Sequence, residues 1–438
     1  MKKWLGRILL SLSLLIVPLI IFYYSVVFTR GKYSGLLALI FTAIIVGGWV
    51  WLLSRRRTRT RKYIGFLAGV ALIPLAFCTY LCIPFAPRTL PSEQVYEAAK
   101  TQFWNLETGS KIAYYHLPVS TGQKEKGTIL FLHGGPGGSV TLDNVEFFQQ
   151  FTELGYDVYL YDQAGSGRSG FLPVNEYNQH RNVQDLSEII QTINAENLTV
   201  VGHSYGGVLL ADALANKEIS PKISKAVFSE PGPFSINYNE LQQYVDGEIP
   251  AKSDYINPRK QVQKLPWALY SPRMWLAVML LTPDNEFVPQ EEMANILEPA
   301  DMEYYGSKTQ CPDDNSNTSH EGKDTGMRLN IFATININSK PADFAIDNLA
   351  QATAPAMLLL GECTFVERRD QLAYIAAYPN MERVHYFEGY GHSTLRHFPD
   401  QRQNLPFESI VAFLEDQPAP LPNYPTKDDF PEFVKEDK

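Results

Sequence analysis

The first 86 residues constrain the fold of this chain more than any other stretch. They contain three long apolar runs, Ile8 to Phe28, Ser34 to Leu53 and Tyr63 to Ala86. Each run is long enough to cross a hydrocarbon core of about 30 Å as a helix. A cleaved signal peptide would explain only the first run, and no small-residue cleavage pattern follows it. The sequence therefore predicts a membrane anchor of three transmembrane helices over residues 1–87.

Basic residues set the expected orientation of this anchor. Six of them lie between Arg55 and Lys62 in the second connection, whereas the first connection has only Arg30 and Lys32. Since cytoplasmic loops carry the excess of Lys and Arg, three crossings place Met1 and the arginine-rich connection in the cytoplasm. Everything after about residue 88 is then expected on the extracytoplasmic side.

The part of the chain after the anchor is acidic. Residues 1–86 hold eleven Lys and Arg and no Asp or Glu, which leaves 27 basic residues against all 47 acidic ones. An acidic body argues against a nucleic-acid partner, because phosphate binding needs clustered cations. No Cys/His spacing typical of a metal site occurs, and no cofactor is expected. Cys311 and Cys363 would form a disulfide only if their Cα atoms come within bonding range, and that alternative stays open.

Short apolar runs alternate with amphipathic segments in this acidic part, after a predicted hairpin of two strands. The predicted strands are Phe103 to Leu106, Lys111 to Leu117, Thr128 to Leu132, Asp157 to Tyr161, Leu198 to Val201, Lys225 to Phe228, Ala356 to Leu360 and Arg383 to Phe387. The predicted helices are Val145 to Leu154, Asn182 to Asn194, Gly206 to Asn216 and Arg369 to Ala377. This alternation predicts an α/β fold, a mostly parallel sheet with helices on both faces.

A long interval without strand alternation interrupts this pattern after the sixth strand. It has helical periodicity and several prolines, and an insertion of this length is better explained as a helical cap than as a loop. The predicted domains after the anchor are the first part of the core at 88–232, the cap at 233–350, the second part of the core at 351–415 and an acidic, proline-rich tail at 416–438.

A candidate nucleophile lies directly after the strand that ends at Val201. Gly202-His203-Ser204-Tyr205-Gly206 matches G-x-S-x-G between a strand and a helix, which is the context that a nucleophile elbow requires. There the tight turn presents the Ser204 hydroxyl at the edge of the sheet. An ordinary helix-capping serine is the alternative.

Two further motifs supply the groups that a serine nucleophile needs. A base should follow the last strand, and His392 lies there, in Gly391-His392-Ser393. Backbone amides should stabilise the oxyanion that forms when a carbonyl is attacked. The glycine loop that begins at His133 is suited to this task, and we expect Gly135 and Tyr205 to provide the two amides.

These motifs resemble the α/β-hydrolase superfamily and, within it, the prolyl iminopeptidase-like serine aminopeptidases. The motifs that carry the resemblance are His133-Gly134-Gly135-Pro136-Gly137, Asp162-Gln163-Ala164-Gly165-Ser166-Gly167-Arg168-Ser169, Gly202-His203-Ser204-Tyr205-Gly206-Gly207 and Gly391-His392-Ser393. The resemblance implies an α/β-hydrolase fold and release of an N-terminal residue from a peptide. The chain departs from the family at Ala164, where Arg is usual, at Thr364, where the triad Asp is usual, and in its membrane anchor.

Because Thr364 has no carboxylate, a carboxylate elsewhere in the chain must orient His392 if the site is active. Glu230 follows the predicted strand Lys225 to Phe228, at the edge where sites in such sheets form, and is the first choice. The alternatives are Glu362, the helix-start residues Glu367 and Asp370, and a site without a functional acid.

The sequence thus predicts a membrane-embedded serine hydrolase that acts on a small peptide or ester. An aminopeptidase of the prolyl iminopeptidase type is the first hypothesis, an esterase is the main alternative, and a catalytically decayed, membrane-tethered binding protein is the third. The cap carboxylates Glu291, Glu292 and Glu303 are expected on a solvated helix face, with binding of a substrate ammonium group as the alternative.

Overall fold

A computed structural model describes ten stretches of the chain, and these divide between two compact units. The described residues are 2–30, 33–55, 61–84, 99–233, 272–279, 287–292, 329–339, 346–364, 366–396 and 404–424. One unit comprises Met1–Arg88 together with Pro266–Ile296, and the other comprises Thr89–Leu265 together with Leu297–Lys438. The predicted cap boundaries, 233–350, stay a prediction, because most of that interval lies outside the described residues. Cys311 also lies outside them, so its disulfide with Cys363 stays an open alternative.

The helices and strands are numbered in chain order. The helices are α1 (Lys2–Thr29), α2 (Ser34–Arg55), α3 (Arg61–Leu81), α4 (Leu142–Thr152), α5 (Gln179–Ile193), α6 (Tyr205–Ala215), α7 (Pro272–Met279), α8 (Ile331–Ser339), α9 (Ile346–Leu349), α10 (Arg368–Ala377) and α11 (Leu405–Leu414). The strands are β1 (Thr101–Asn105), β2 (Lys111–Leu117), β3 (Gly127–Leu132), β4 (Tyr156–Tyr161), β5 (Leu198–His203), β6 (Lys225–Ser229), β7 (Ala356–Cys363) and β8 (Met381–Gly391). Short 3₁₀ helices lie at Val174–Glu176 and Ser220–Lys222.

The first unit contains the three predicted apolar helices. Windows of 18 to 19 residues in α1, α2 and α3 are long and apolar enough to span a bilayer. Between 17% and 28% of each window is buried within the protein, which is the pattern expected of helices that could face lipid. Where the helices do meet, they bury Leu14, Val46, Leu67 and Ala71.

A segment from the long interval completes this unit. Arg273 of α7 donates to the Leu81 carbonyl at the end of α3 and forms a two-bond ion pair with Glu292, at 2.8 and 2.7 Å. Its guanidinium also lies 4.8 Å from the centre of the Phe287 ring. Arg273 and Glu292 are both buried, so the prediction of a solvated face at Glu292 is wrong. Glu291 is exposed, as that prediction has it, and Glu303 lies outside the described residues.

The second unit contains an eight-stranded sheet in the order β1-β2-β4-β3-β5-β6-β7-β8. β1 pairs antiparallel with β2, and β2 antiparallel with β4. From β4 to β8 every neighbouring pair is parallel. The predicted fold class is therefore confirmed, and the predicted strands and helices lie within a few residues of the observed ones.

Helices cover both faces of this sheet. Val227 of β6 lies in an apolar cluster with Phe148 of α4 and Phe413 of α11. The next residue, Phe228, points to the opposite face, since side chains alternate along a strand. There its ring centre lies 5.1 Å from that of Tyr374 in α10. Burial on both faces explains why the central strands are continuous apolar runs.

The described part of the tail lies along the outer strand β8. The Tyr424 amide donates to the Val384 carbonyl, and the Val384 amide donates to Asn423 Oδ1. These two hydrogen bonds cover backbone groups of an edge strand that would otherwise be open to pairing.

Candidate active site

Ser204 lies on a strained turn between β5 and α6. Its φ and ψ angles are 55° and −118°, a conformation that L-residues rarely adopt. Its amide donates to the Ser229 carbonyl at 2.9 Å, which ties the turn to β6. Two residues later, a Cβ atom on Gly206 would lie 2.1 Å from the Leu132 carbonyl oxygen, so α6 can start this close to β3 only with glycine there. The local geometry is that of a nucleophile elbow.

The glycine loop after β3 lies against this serine. A Cβ atom on Gly134 would lie 2.9 Å from Ser204 Cβ and 3.4 Å from Ser204 Oγ. Gly134 is thus the glycine of this loop that lies against Ser204, and it is next to Gly135, the predicted oxyanion donor. The second predicted donor, Tyr205, is the first residue of α6, and amides at the first turn of a helix have no partner within the helix.

His133 holds this loop in place as a neutral imidazole. Its Nε2 accepts from the Gln163 amide at 2.9 Å, so its proton lies on Nδ1 and is donated to the Gly134 carbonyl at 2.8 Å. Burial lowers the pKa of His133 from 6.5 to about 4. The Gln163 side chain returns a bond to the His133 carbonyl at 3.0 Å, which joins the loops after β3 and β4.

His392 lies directly after β8, and two groups contact its Nδ1. Thr364 Oγ1 is 3.1 Å away, and Glu230 Oε2 is 3.5 Å away. His392 and Glu230 are both buried. Of the predicted carboxylates, the structure therefore brings Glu230 to the histidine. Glu362 instead accepts a hydrogen bond from the Gly389 amide at 2.9 Å.

The two other candidate acids lie at the start of α10. Glu367 is the residue that precedes the helix, and Asp370 lies in its first turn. Acidic side chains are favoured there by the helix dipole, so their positions need no role in the site.

Glu230 itself has an unusual backbone and two donors. Its φ angle is 47°, which turns the chain sharply at the end of β6. Oε1 accepts from the Gly361 amide, and Oε2 accepts from Gln371 Nε2 at 2.8 Å. The carboxylate thus receives an N–H donor on each oxygen before it meets the imidazole, as a buried acceptor requires.

A second histidine packs beside His392. The ring centres of His203 and His392 are 4.9 Å apart, and His203 Nδ1 lies 3.2 Å from Ser229 Oγ. Burial, with the neighbouring His392 as a second cause, lowers the pKa of His203 well below its ordinary value. His203 is therefore neutral where it packs against the His392 ring.

Chemically, this arrangement suits acyl transfer. Ser204, Glu230 and His392 all lie at the carboxyl edge of the parallel strands, where α/β sheets form their sites. Among the described residues no hydrogen bond joins the Ser204 hydroxyl to the His392 ring, and catalytic bonds of this kind often tighten only with substrate present.

Sequence reasoning missed several residues of this site. It treats Thr364 only as a missing aspartate, yet the Thr364 hydroxyl contacts the histidine. It does not single out Gln371, which donates to Glu230, or Arg368, which donates to the Gly361 carbonyl. Polar residues at the start of a helix are ordinary. Their spacing of three residues, which places both on one helix face, is the one available signal.

Comparison with known proteins agrees with this architecture. Residues 127–248 match the sequence model of the alpha/beta hydrolase fold family. The sheet and helices of the second unit thus have the α/β-hydrolase fold. A proline iminopeptidase of Thermoplasma volcanium is 28% identical over 163 residues, which are 34% of this chain and 53% of that protein. A 2-hydroxy-6-oxononadienedioate/2-hydroxy-6-oxononatrienedioate hydrolase of Paraburkholderia phymatum is 31% identical over 113 residues, 25% of this chain and 38% of that protein.

The curated relatives are thus matched over about half of their length or less. A solved structure of a proline iminopeptidase from Mycobacterium smegmatis aligns with a TM-score of 0.44 at 18% identity, covering 72% of this chain and 98% of that one. The sequence similarity to the iminopeptidases thus covers about a third of this chain.

Proposed function

We propose that this α/β-hydrolase is a membrane-anchored serine hydrolase, and that it releases an N-terminal residue from short peptides as an iminopeptidase does. The observation that carries the proposal is the Glu230 carboxylate, 3.5 Å from His392 Nδ1, at the same sheet edge as the elbow at Ser204. The similarity to proline iminopeptidases supports the peptide as substrate.

In the proposed mechanism, Ser204 Oγ attacks the scissile carbonyl while His392 Nε2 takes its proton. The amides of Gly135 and Tyr205 donate to the resulting oxyanion. His392 then gives the proton to the leaving amine, and a water molecule activated by the same ring hydrolyses the acyl-enzyme. The Nδ1 proton stays on His392 throughout, and the Glu230 carboxylate that faces it at 3.5 Å stabilises the imidazolium that forms in each step.

Labelling with a fluorophosphonate tests the nucleophile without a known substrate. The full chain in its membrane should label, and Ser204→Ala should not. Equal labelling of both would exclude Ser204 as the nucleophile, and no labelling of either would favour a decayed, membrane-tethered binding protein.

A pair of substrates then tests the reaction class. The elbow, the base and the oxyanion donors serve amides and esters equally, so the substrate preference must separate the two classes. Faster turnover of proline-naphthylamide than of a short-chain nitrophenyl ester supports the aminopeptidase. The opposite preference would assign the domain to the esterases.

The proposed location of the hydrolase domain is extracytoplasmic. It rests on the three apolar helices and on the arginine-rich connection between the second and third of them. A reporter fused after Lys438 that is active only in the cytoplasm should stay silent, whereas a strong signal from it would refute this orientation.

A further inference from the structure

We propose that Gln371 and Arg368, on the first turns of α10, are positioning residues for the carboxylate of Glu230. This inference rests on the proposed function, since it assigns a task to side chains behind the proposed acid. In the family that the sequence resembles, an aspartate in the loop after β7 orients the histidine. Here a glutamate after β6 takes that place, and the two positioning residues explain how its longer side chain is held.

The three side chains form a buried polar chain. Glu230 and Gln371 are 0% exposed, and Arg368 is 4% exposed. Arg368 Nη1 donates to Gln371 Oε1 at 2.6 Å, and Gln371 Nε2 donates to Glu230 Oε2 at 2.8 Å. Oε2 is also the oxygen that lies 3.5 Å from His392 Nδ1. This polar chain of three side chains therefore ends on Oε2, the carboxylate oxygen that faces His392.

The arginine determines which way the amide of Gln371 faces. A guanidinium has only donors, so the Gln371 oxygen must face Arg368 and the Gln371 NH₂ group must face Glu230. A rotated amide would place an N–H against Nη1 and a carbonyl oxygen against a carboxylate. The donor-only character of Arg368 thus keeps a donor directed at Oε2.

A second connection reaches the other carboxylate oxygen. Arg368 Nη2 donates to the Gly361 carbonyl at 2.8 Å, and the Gly361 amide donates to Glu230 Oε1. The two connections hold both oxygens, so the long side chain of Glu230 keeps one orientation. Arg368 also supplies a buried positive charge close to the buried carboxylate, and buried charges need such compensation.

The isosteric variant Gln371→Glu tests this inference. It keeps an acceptor for Arg368 but replaces the donor to Glu230 with an oxygen. We expect the rate of fluorophosphonate labelling, and kcat on the preferred substrate, to fall about tenfold to a hundredfold with little change in KM, as for loss of one hydrogen bond to a buried charged group.

The defect in Gln371→Glu should also depend on pH. When the new carboxyl group at position 371 is protonated it can donate to Glu230 as the amide does, whereas its ionised form would repel Glu230. The defect should therefore grow as the pH rises. The charged groups hydrogen-bonded to Gln371 are Glu230 and Arg368, His392 lies beyond Glu230, and Asp370 is the adjacent residue of α10. A role in packing alone would produce no such trend.

Matched variants complete the design. Arg368→Lys keeps a donor-only side chain and should retain more activity than Arg368→Met. Gln191→Glu, on the exposed face of α5, should behave as wild type. If Gln371→Glu and Arg368→Met both label at the wild-type rate at every pH, the inference is wrong while the proposed function stands. A wild-type chain that does not label would overturn both.

Discussion

Replacing Glu230 by glutamine should abolish most of the turnover while the fold persists. In the proposed mechanism, the imidazolium that forms on His392 faces a carboxylate oxygen at 3.5 Å. At an effective dielectric constant of about 20, two unit charges at that distance attract by roughly 5 kcal/mol. Since each 1.36 kcal/mol in the barrier is tenfold in rate, losing this attraction should lower kcat by roughly three orders of magnitude.

The same substitution should also reduce stability, because a glutamine offers one acceptor where Glu230 offers two. Either the Gly361 amide or the Gln371 NH₂ group then loses its partner, at about 1–3 kcal/mol for a buried unsatisfied donor. Thermal unfolding of the purified chain in detergent measures this loss, and labelling rates are compared well below the melting temperature so that both proteins are folded.

Thr364→Asp gives a gain-of-function partner for this test. Thr364 Oγ1 lies 3.1 Å from His392 Nδ1, so an aspartate there places a carboxylate on the side of the imidazole that the family uses. The double variant Glu230→Gln with Thr364→Asp should recover about tenfold over Glu230→Gln alone. Near-normal turnover of Glu230→Gln, together with loss of turnover in Glu362→Gln, would refute the assignment to Glu230.

Three further perturbations have defined outcomes. Arg273→Met should destabilise the unit that contains α1 to α3 by about 3–5 kcal/mol, because it leaves Glu292 buried without its cation, and an unchanged melting temperature in detergent would contradict this. Between pH 6.5 and about 4 the unfolded state binds a proton at His133 that the folded state, with its pKa lowered to about 4, does not. Stability should therefore fall by about 3 kcal/mol as the pH falls through that window, and His133→Gln should lack this part of the slope in urea titrations. Gly134→Ala places a methyl group 2.9 Å from Ser204 Cβ and should lower kcat about a hundredfold, whereas wild-type kinetics with an unchanged melting temperature would show that the loop can move aside.

Much of the architecture was predictable because its signals are local. Runs such as Thr128 to Leu132 are too short for helices and are buried on both faces, so they indicate parallel strands without any knowledge of their neighbours. The elbow at Ser204 was predictable for the same reason, since the glycines of a tight turn must lie within a few residues of it. The position of Glu292 was not, because its partner Arg273 lies 19 residues away, and helical periodicity does not show which helices meet.

The sequence by itself determined three membrane-sized helices, an α/β sheet and a serine and a histidine placed after the right strands. These features depend on hydrophobic periodicity and on residues adjacent in the chain. Only the tertiary structure decided which carboxylate meets His392. Glu230 and Gln371 are separated by 141 positions, and their contact exists because β6 and β7 are neighbours in the sheet and α10 packs behind them. No local pattern reports such a contact, since the burial that makes it strong arises only when the strands and the helix have assembled.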